Sequence, residues 1–126
     1  MAVEPSNGIS GRRLLVVEDD FFIASDLASW LESKGAEVIG PAGSVDDALE
    51  LLESNALPDA AVLDINLGSE RVYPVADALQ IAQVPFVFLS GYDGRSIPDA
   101  YRGATCLLKP LNRPGLLLEL SKSLEG

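Results

Sequence analysis

The stretch LLVVEDD, Leu14 to Asp20, sets four aliphatic residues directly against three consecutive carboxylates. Like charges that close repel one another, and a buried acid is costly. An aliphatic run without alternation reads as a strand covered on both faces of a parallel sheet, which places the acids at its carboxyl end. Similar runs recur at EVIG (37–40), AAVLDI (60–65), PFVFLS (85–90) and TCLLK (105–109).

Helical spacing fills the gaps between these runs. Ile23, Leu27, Trp30 and Leu31 share one helical stripe, with Lys34-Gly35 as its stop, and Trp30 with the pair Phe21-Phe22 reads as core or edge packing of that helix. Ser44, with Asp47 three residues on, caps a second helix whose buried stripe is Val45, Ala48, Leu49 and Leu52 and which ends near Asn55. A third helix spans about Val72 to Gln83, with Pro74 tolerable only in its first turn, and Asn112 starts a last one. Between Ser90 and Thr105, glycines 91, 94 and 103 and Pro98 leave room for at most a short helix around Pro98 to Arg102. Strands alternating with helices imply a doubly wound α/β fold, a five-stranded parallel sheet with right-handed crossovers and helices on both faces.

At 126 residues and 48% hydrophobic the chain has the material for one domain. The start, MAVEPSNGISG, reads as a flexible tail or linker over 1–11, with the domain running from 12 to 126. Nineteen acids against 9 bases give a net charge of −10, which opposes direct binding of nucleic acid. No run approaches the roughly 20 apolar residues of a membrane helix, and the one cysteine, Cys106, cannot form an internal disulfide, so a cytoplasmic protein without a membrane partner is expected. Cys106 itself reads as a small buried hydrophobe rather than a redox sensor. The absence of histidine excludes Ser-His-Asp triads and His-based metal sites, and any phosphorylated histidine must belong to another protein or domain.

Ligands of open parallel sheets sit outside the carboxyl ends of the strands. Those ends carry Glu18, Asp19 and Asp20, then Asp64, Ser90, and Lys109 followed by Pro110. Acids from two strand ends 45 residues apart need a compensating cation, for which a metal and Lys109 are the candidates. Oxygen ligands without histidine or thiolate favour a hard ion such as Mg²⁺, and a carboxylate between two cations can act as a nucleophile on phosphorus.

VVEDD, VLDINL, FLSGY and LLKP, in this order at these strand ends, resemble the receiver domain of two-component response regulators. The resemblance spans about residues 12–124 and implies a flavodoxin-like (βα)5 fold, strand order 2-1-3-4-5, with the fourth helix short or poorly ordered. It implies Asp64 as phosphoacceptor, Asp19 as a direct Mg²⁺ ligand, Glu18 as a ligand through water and Asn66 as a ligand through its backbone carbonyl, with Mn²⁺ a substitute ion. Ser90 matches the switch hydroxyl, Lys109 the lysine that pairs with phosphoryl oxygen, and Lys109-Pro110 a bond that is cis in the family. Asp20 is left to cap the first helix.

Two departures stand out. Cys106 occupies the position of the family's switch aromatic, so a ring flip there is unavailable. PFVFLSGYDG resembles the PFxFATGYG signature of a receiver subgroup, with Leu89 and Ser90 in place of Ala and Thr. The implied role is a signalling phosphoacceptor, not a turnover enzyme: a histidine kinase or phosphotransfer protein is the donor, and the phosphorylated form engages a protein target by ordering the glycine-rich loop after Ser90, with Tyr92 shielding the phosphate or standing as a loop aromatic. A homodimer and an origin as the C-terminal receiver of a hybrid sensor kinase both stay open. Haloacid-dehalogenase-type hydrolases are the alternative of another class, disfavoured because Asn66 stands where their general acid should be.

Overall fold

The computed structural model describes residues 8–91, 97–101 and 103–125. The expectations attached to Tyr92, to most of the glycine-rich stretch after Ser90 and to Arg102 fall outside the described residues.

Five parallel strands form the main sheet in the order β2-β1-β3-β6-β7: β1 (Arg13–Val17), β2 (Glu37–Ala42), β3 (Ala60–Asp64), β6 (Phe86–Ser90) and β7 (Thr105–Leu108). In terms of the five sequence runs this is the expected order 2-1-3-4-5. A small antiparallel hairpin, β4 (Asn66–Leu67) with β5 (Glu70–Arg71), follows β3 and was not anticipated, because two-residue strands leave no periodic signal.

Alternation of side chains explains why the aliphatic runs lack polar breaks. Leu15, Val17, Ala61, Leu63 and Phe88 face helices α2 (Val45–Ser54) and α3 (Tyr73–Ile81). Leu14, Val16, Ala60, Val62, Val87 and Leu89 face α1 (Phe21–Ser33) and α4 (Arg113–Glu125). Both faces of the central strands β1, β3 and β6 are covered, so a polar residue on either would have to be buried. The edge strands are more open than their aliphatic runs imply: no residue of β7 is fully buried and Leu108 is exposed.

The helix caps follow the sequence. Asp20 Oδ1 accepts from the amides of Phe22 and Ile23, and Ser44 Oγ accepts from that of Asp47. Asn112 Oδ1 accepts from the Gly115 amide, and Pro74 lies in the first turn of α3. The expected fourth helix is reduced, among the described residues, to a 3-10 turn at Asp99–Tyr101.

Three expectations need correction. Phe21 and Phe22 are 75% and 81% exposed, because the face α1 turns inward is Ala24, Leu27, Ala28 and Leu31. Ile23, placed in the buried stripe by its spacing, is likewise exposed, and Trp30 is half-buried beneath the Arg113 guanidinium. Packed structure also begins before Arg12: Ile9 is fully buried with Leu116 and Leu120 of α4, and the Gly11 amide donates to the Gly35 carbonyl. The polar composition around Ile9 hides that single anchor.

Strand β2 extends two residues past EVIG, to where Ala42 accepts the Glu18 amide. Gly40 makes this turn at φ +95°, and a Cβ there would lie 2.8 Å from the Ala42 nitrogen. Only glycine fits that close approach.

Candidate functional site

The switch in strand order lies between β1 and β3, whose carboxyl ends deliver Glu18, Asp19 and Asp64 side by side. Glu18 and Asp64 are buried, at 3% and 4% exposure, and Asp19 faces solvent. One carboxylate oxygen from each can be chosen so that all three lie within 4.8 Å of one another.

Lys109, delivered by the far end of β7, reaches across this cluster. Its Nζ donates to Asp64 Oδ2 at 2.8 Å and to Glu18 Oε2 at 3.1 Å. The remaining oxygens are held by backbone: Asp64 Oδ1 accepts from the Asn66 amide and Glu18 Oε1 from the Asp20 amide, both at 3.1 Å. Each buried acid is therefore fixed at both ends, which is what makes its burial tolerable.

The electrostatics still leave a deficit of positive charge. Burial, and then the hydrogen bond with Asp64, push Glu18 up to about 7. Burial pulls Lys109 down, but its bonds to Asp64 and Glu18 outweigh that and raise it. One ammonium among three carboxylates leaves a net negative, all-oxygen cluster whose donors suit a hard divalent cation.

Ser90, buried at the end of β6, is one residue past Leu89, the partner of Asp64 across the sheet. Its carbonyl accepts the Lys109 amide at 2.8 Å, so the serine and the lysine are tied through backbone. The Lys109-Pro110 bond is cis. Cys106 is half-buried against the aromatic cluster beneath β6, and burial pushes its thiol up. The sequence positions named above thus fall at one sheet edge, except Cys106, which lies behind it.

Two features escaped the sequence. Glu70 of the hairpin accepts the Val45 amide at 3.1 Å, so the turn after Asp64 caps α2, a contact 25 residues long that no local pattern announces. A cleft of about 340 Å³ beside Lys109 is lined by Ile23, Leu27, Leu89, Pro110 and Leu111 together with the ion-paired Asp26 and Arg113, and the Phe21-Phe22 pair is exposed at the start of α1.

No family model matches the chain. The protein SdrG from Sphingomonas melonis Fr1 is 33% identical, with a TM-score of 0.76 over 94% of this chain and 98% of that one. A response regulator receiver protein from Sinorhizobium medicae WSM419 is 27% identical, with a TM-score of 0.75 over 91% and 95% of the two chains. The chain belongs to the response-regulator receiver domains. Among curated relatives, the transcriptional regulatory protein PdtaR of Mycobacterium tuberculosis is 30% identical over 118 residues, 89% of this chain and 57% of that protein. The receiver thus spans about half the length of the curated relatives it matches. The comparisons lend the hydrolase alternative no support. Among the described residues no helix is long and apolar enough to cross a membrane.

Proposed function

We propose that this receiver accepts a phosphoryl group on Asp64 from a phosphohistidine of another protein or domain. The observation that carries the reading is the bridge from Lys109 Nζ to Asp64 and Glu18, with Asp19 close enough to share one cation with them.

Asp19, Asp64, the Asn66 backbone carbonyl and, through water, Glu18 would hold Mg²⁺, with Mn²⁺ as a substitute. The ion, when bound, neutralises charge on the transferred phosphoryl oxygens. A carboxylate oxygen of Asp64 forms the new bond to phosphorus as the bond from phosphorus to the donor nitrogen breaks, and that nitrogen keeps the electron pair. Lys109, already beside Asp64, pairs with a phosphoryl oxygen as its bond to the carboxylate is shared. The Asn66 amide holds the carboxylate in orientation during attack, and the Ser90 hydroxyl donates to a further phosphoryl oxygen.

The chain lacks histidine, so a histidine kinase or phosphotransfer protein supplies the group. The exposed Phe21-Phe22 pair and the cleft beside Lys109, whose aliphatic walls are joined by the Asp26-Arg113 pair, offer such a donor a mixed apolar and charged footing at the edge of the site. The product is a signalling state in the cytoplasm that a protein target reads, not a released product of turnover. Fluorine NMR with beryllofluoride and Mg²⁺ tests the reading. Slow-exchange bound resonances in the wild type that vanish in Asp64→Asn support it, and identical spectra for the two proteins contradict it.

A further inference from the structure

Rings pack along the face of β6 that ends in Ser90. Phe86, Phe88 and Ser90 share one face of β6 because strand side chains alternate, and Phe88 is fully buried there. Phe88 meets Tyr73 of α3 edge-on at 6.0 Å and Tyr101 edge-on at 5.9 Å. Tyr73 and Tyr101 stack on each other, 5.1 Å apart and 9° from parallel.

Tyr101 belongs to the 3-10 turn, yet it is only 6% exposed. Its hydroxyl donates to the Asp77 carboxylate of α3 and lies 3.4 Å from the Tyr73 carbonyl oxygen. A second tether from α3 runs from Gln80 Nε2 to the Ala100 carbonyl at 3.2 Å. Burial, then the bond to Asp77, push the phenol up to about 12, so it remains a donor across the neutral range.

We propose that Tyr101 is a positioning residue: its hydroxyl bond to Asp77 clamps the ring stack onto α3 and, through Phe88, holds the end of β6 where Ser90 stands. This rests on the reading of Asp64 as phosphoacceptor, whose regulation it concerns. Close-packed rings cannot shift singly. A phosphoryl group placed among Asp64, Ser90 and Lys109 adds volume and charge at the end of β6, and any displacement of that end presses Phe88 against Tyr101. The bond to a charged acceptor is the strongest polar tie such a shift must break.

Tyr101→Phe keeps the rings and removes the clamp, and Asp77→Ala removes the acceptor. Calorimetric titration of the full chain with beryllofluoride and Mg²⁺ should show each variant binding about tenfold tighter, near the value of one partly exposed charge-assisted hydrogen bond. The double variant should bind no tighter than either single one, while both single variants lower the Tm. A tyrosine with a merely structural role would lower the Tm and leave affinity unchanged or weaker, and that result overturns the proposal.

Hydrogen exchange gives a readout that does not depend on Asp64. The Lys109 amide, bonded to the Ser90 carbonyl, should exchange about tenfold faster in Tyr101→Phe. Acceleration confined to residues 97–104 overturns the clamp. A wild type that takes up no beryllofluoride contradicts the phosphoacceptor reading instead, and the exchange result then decides the clamp alone.

Discussion

Replacing Lys109 with methionine isolates the charge at the centre of the site. Methionine keeps most of the stem's packing and deletes the ammonium that bridges Asp64 and Glu18. No other ion pair reaches these two acids among the described residues, and both are almost fully buried. Orphaning a buried ion pair costs roughly 3–5 kcal/mol. The lysine side chain is 29% exposed, so water screens part of its field, and the loss should be about 2–3 kcal/mol at pH 8. For a chain of this length that is a fall in Tm of about 10 °C. With the ammonium gone, Glu18 loses the hydrogen bond that lowers it, and its folded-state pKa rises further. An acid raised in the fold contributes stability below its unfolded pKa and loses it as pH climbs through the folded value. The deficit should therefore shrink at pH 5 and grow through pH 7, where Glu18 already titrates in the intact site. Thermal unfolding followed by circular dichroism at the two pH values, with and without Mg²⁺, reads this directly, and Mg²⁺ should recover part of the loss at pH 8. A fall below about 2 °C at pH 8, or the same fall at both pH values, would refute the reasoning.

Other consequences follow from single residues. Glu18 is raised to about 7 by burial and by Asp64, so without a divalent cation the fold should lose stability as pH rises from 4.5 through 7. Mg²⁺ binding near pH 6 should then release about one proton, and calorimetry in two buffers of different ionisation enthalpy would show it; an affinity independent of pH between 5.5 and 8 would refute the assignment. Ile9→Ala removes a fully buried side chain between α4 and β1 and should cost about 2–4 kcal/mol in urea unfolding, against a near-zero cost if the chain packed only from Arg12. Gly40→Ala forces a Cβ into the Ala42 nitrogen at positive φ and should lower the Tm by several degrees, whereas Gly91→Ala meets nothing within 4 Å and should not.

The strand runs and the acids at their ends were legible because each is a local signal. LLVVEDD alone fixes a doubly covered strand and the place of its carboxyl end, and the same logic located Asp64, Ser90 and Lys109. The caps at Asp20, Ser44 and Asn112 were legible for the same reason, since donor and acceptor lie two or three residues apart. What escaped was long-range or relational. Helical spacing could not tell which side of α1 turns inward, because Ala24 and Ala28 are small enough to let the helix sit close while Phe21 and Phe22 stay outside. Glu70 on α2 and Tyr101 on Asp77 join residues 25 and 24 apart, and neither pairing has a local pattern. Ile9 escaped because one apolar residue in a polar stretch carries no period.

The central claim is tested most directly by intact-protein mass spectrometry after incubation with a small acyl phosphate donor and Mg²⁺. The expected result is a gain of one phosphoryl group that is lost on mild alkali, as an acyl phosphate is, and that is absent from Asp64→Ala and from a sample with the divalent ion chelated. An unmodified wild type, or an equal gain in Asp64→Ala, would contradict the assignment of Asp64.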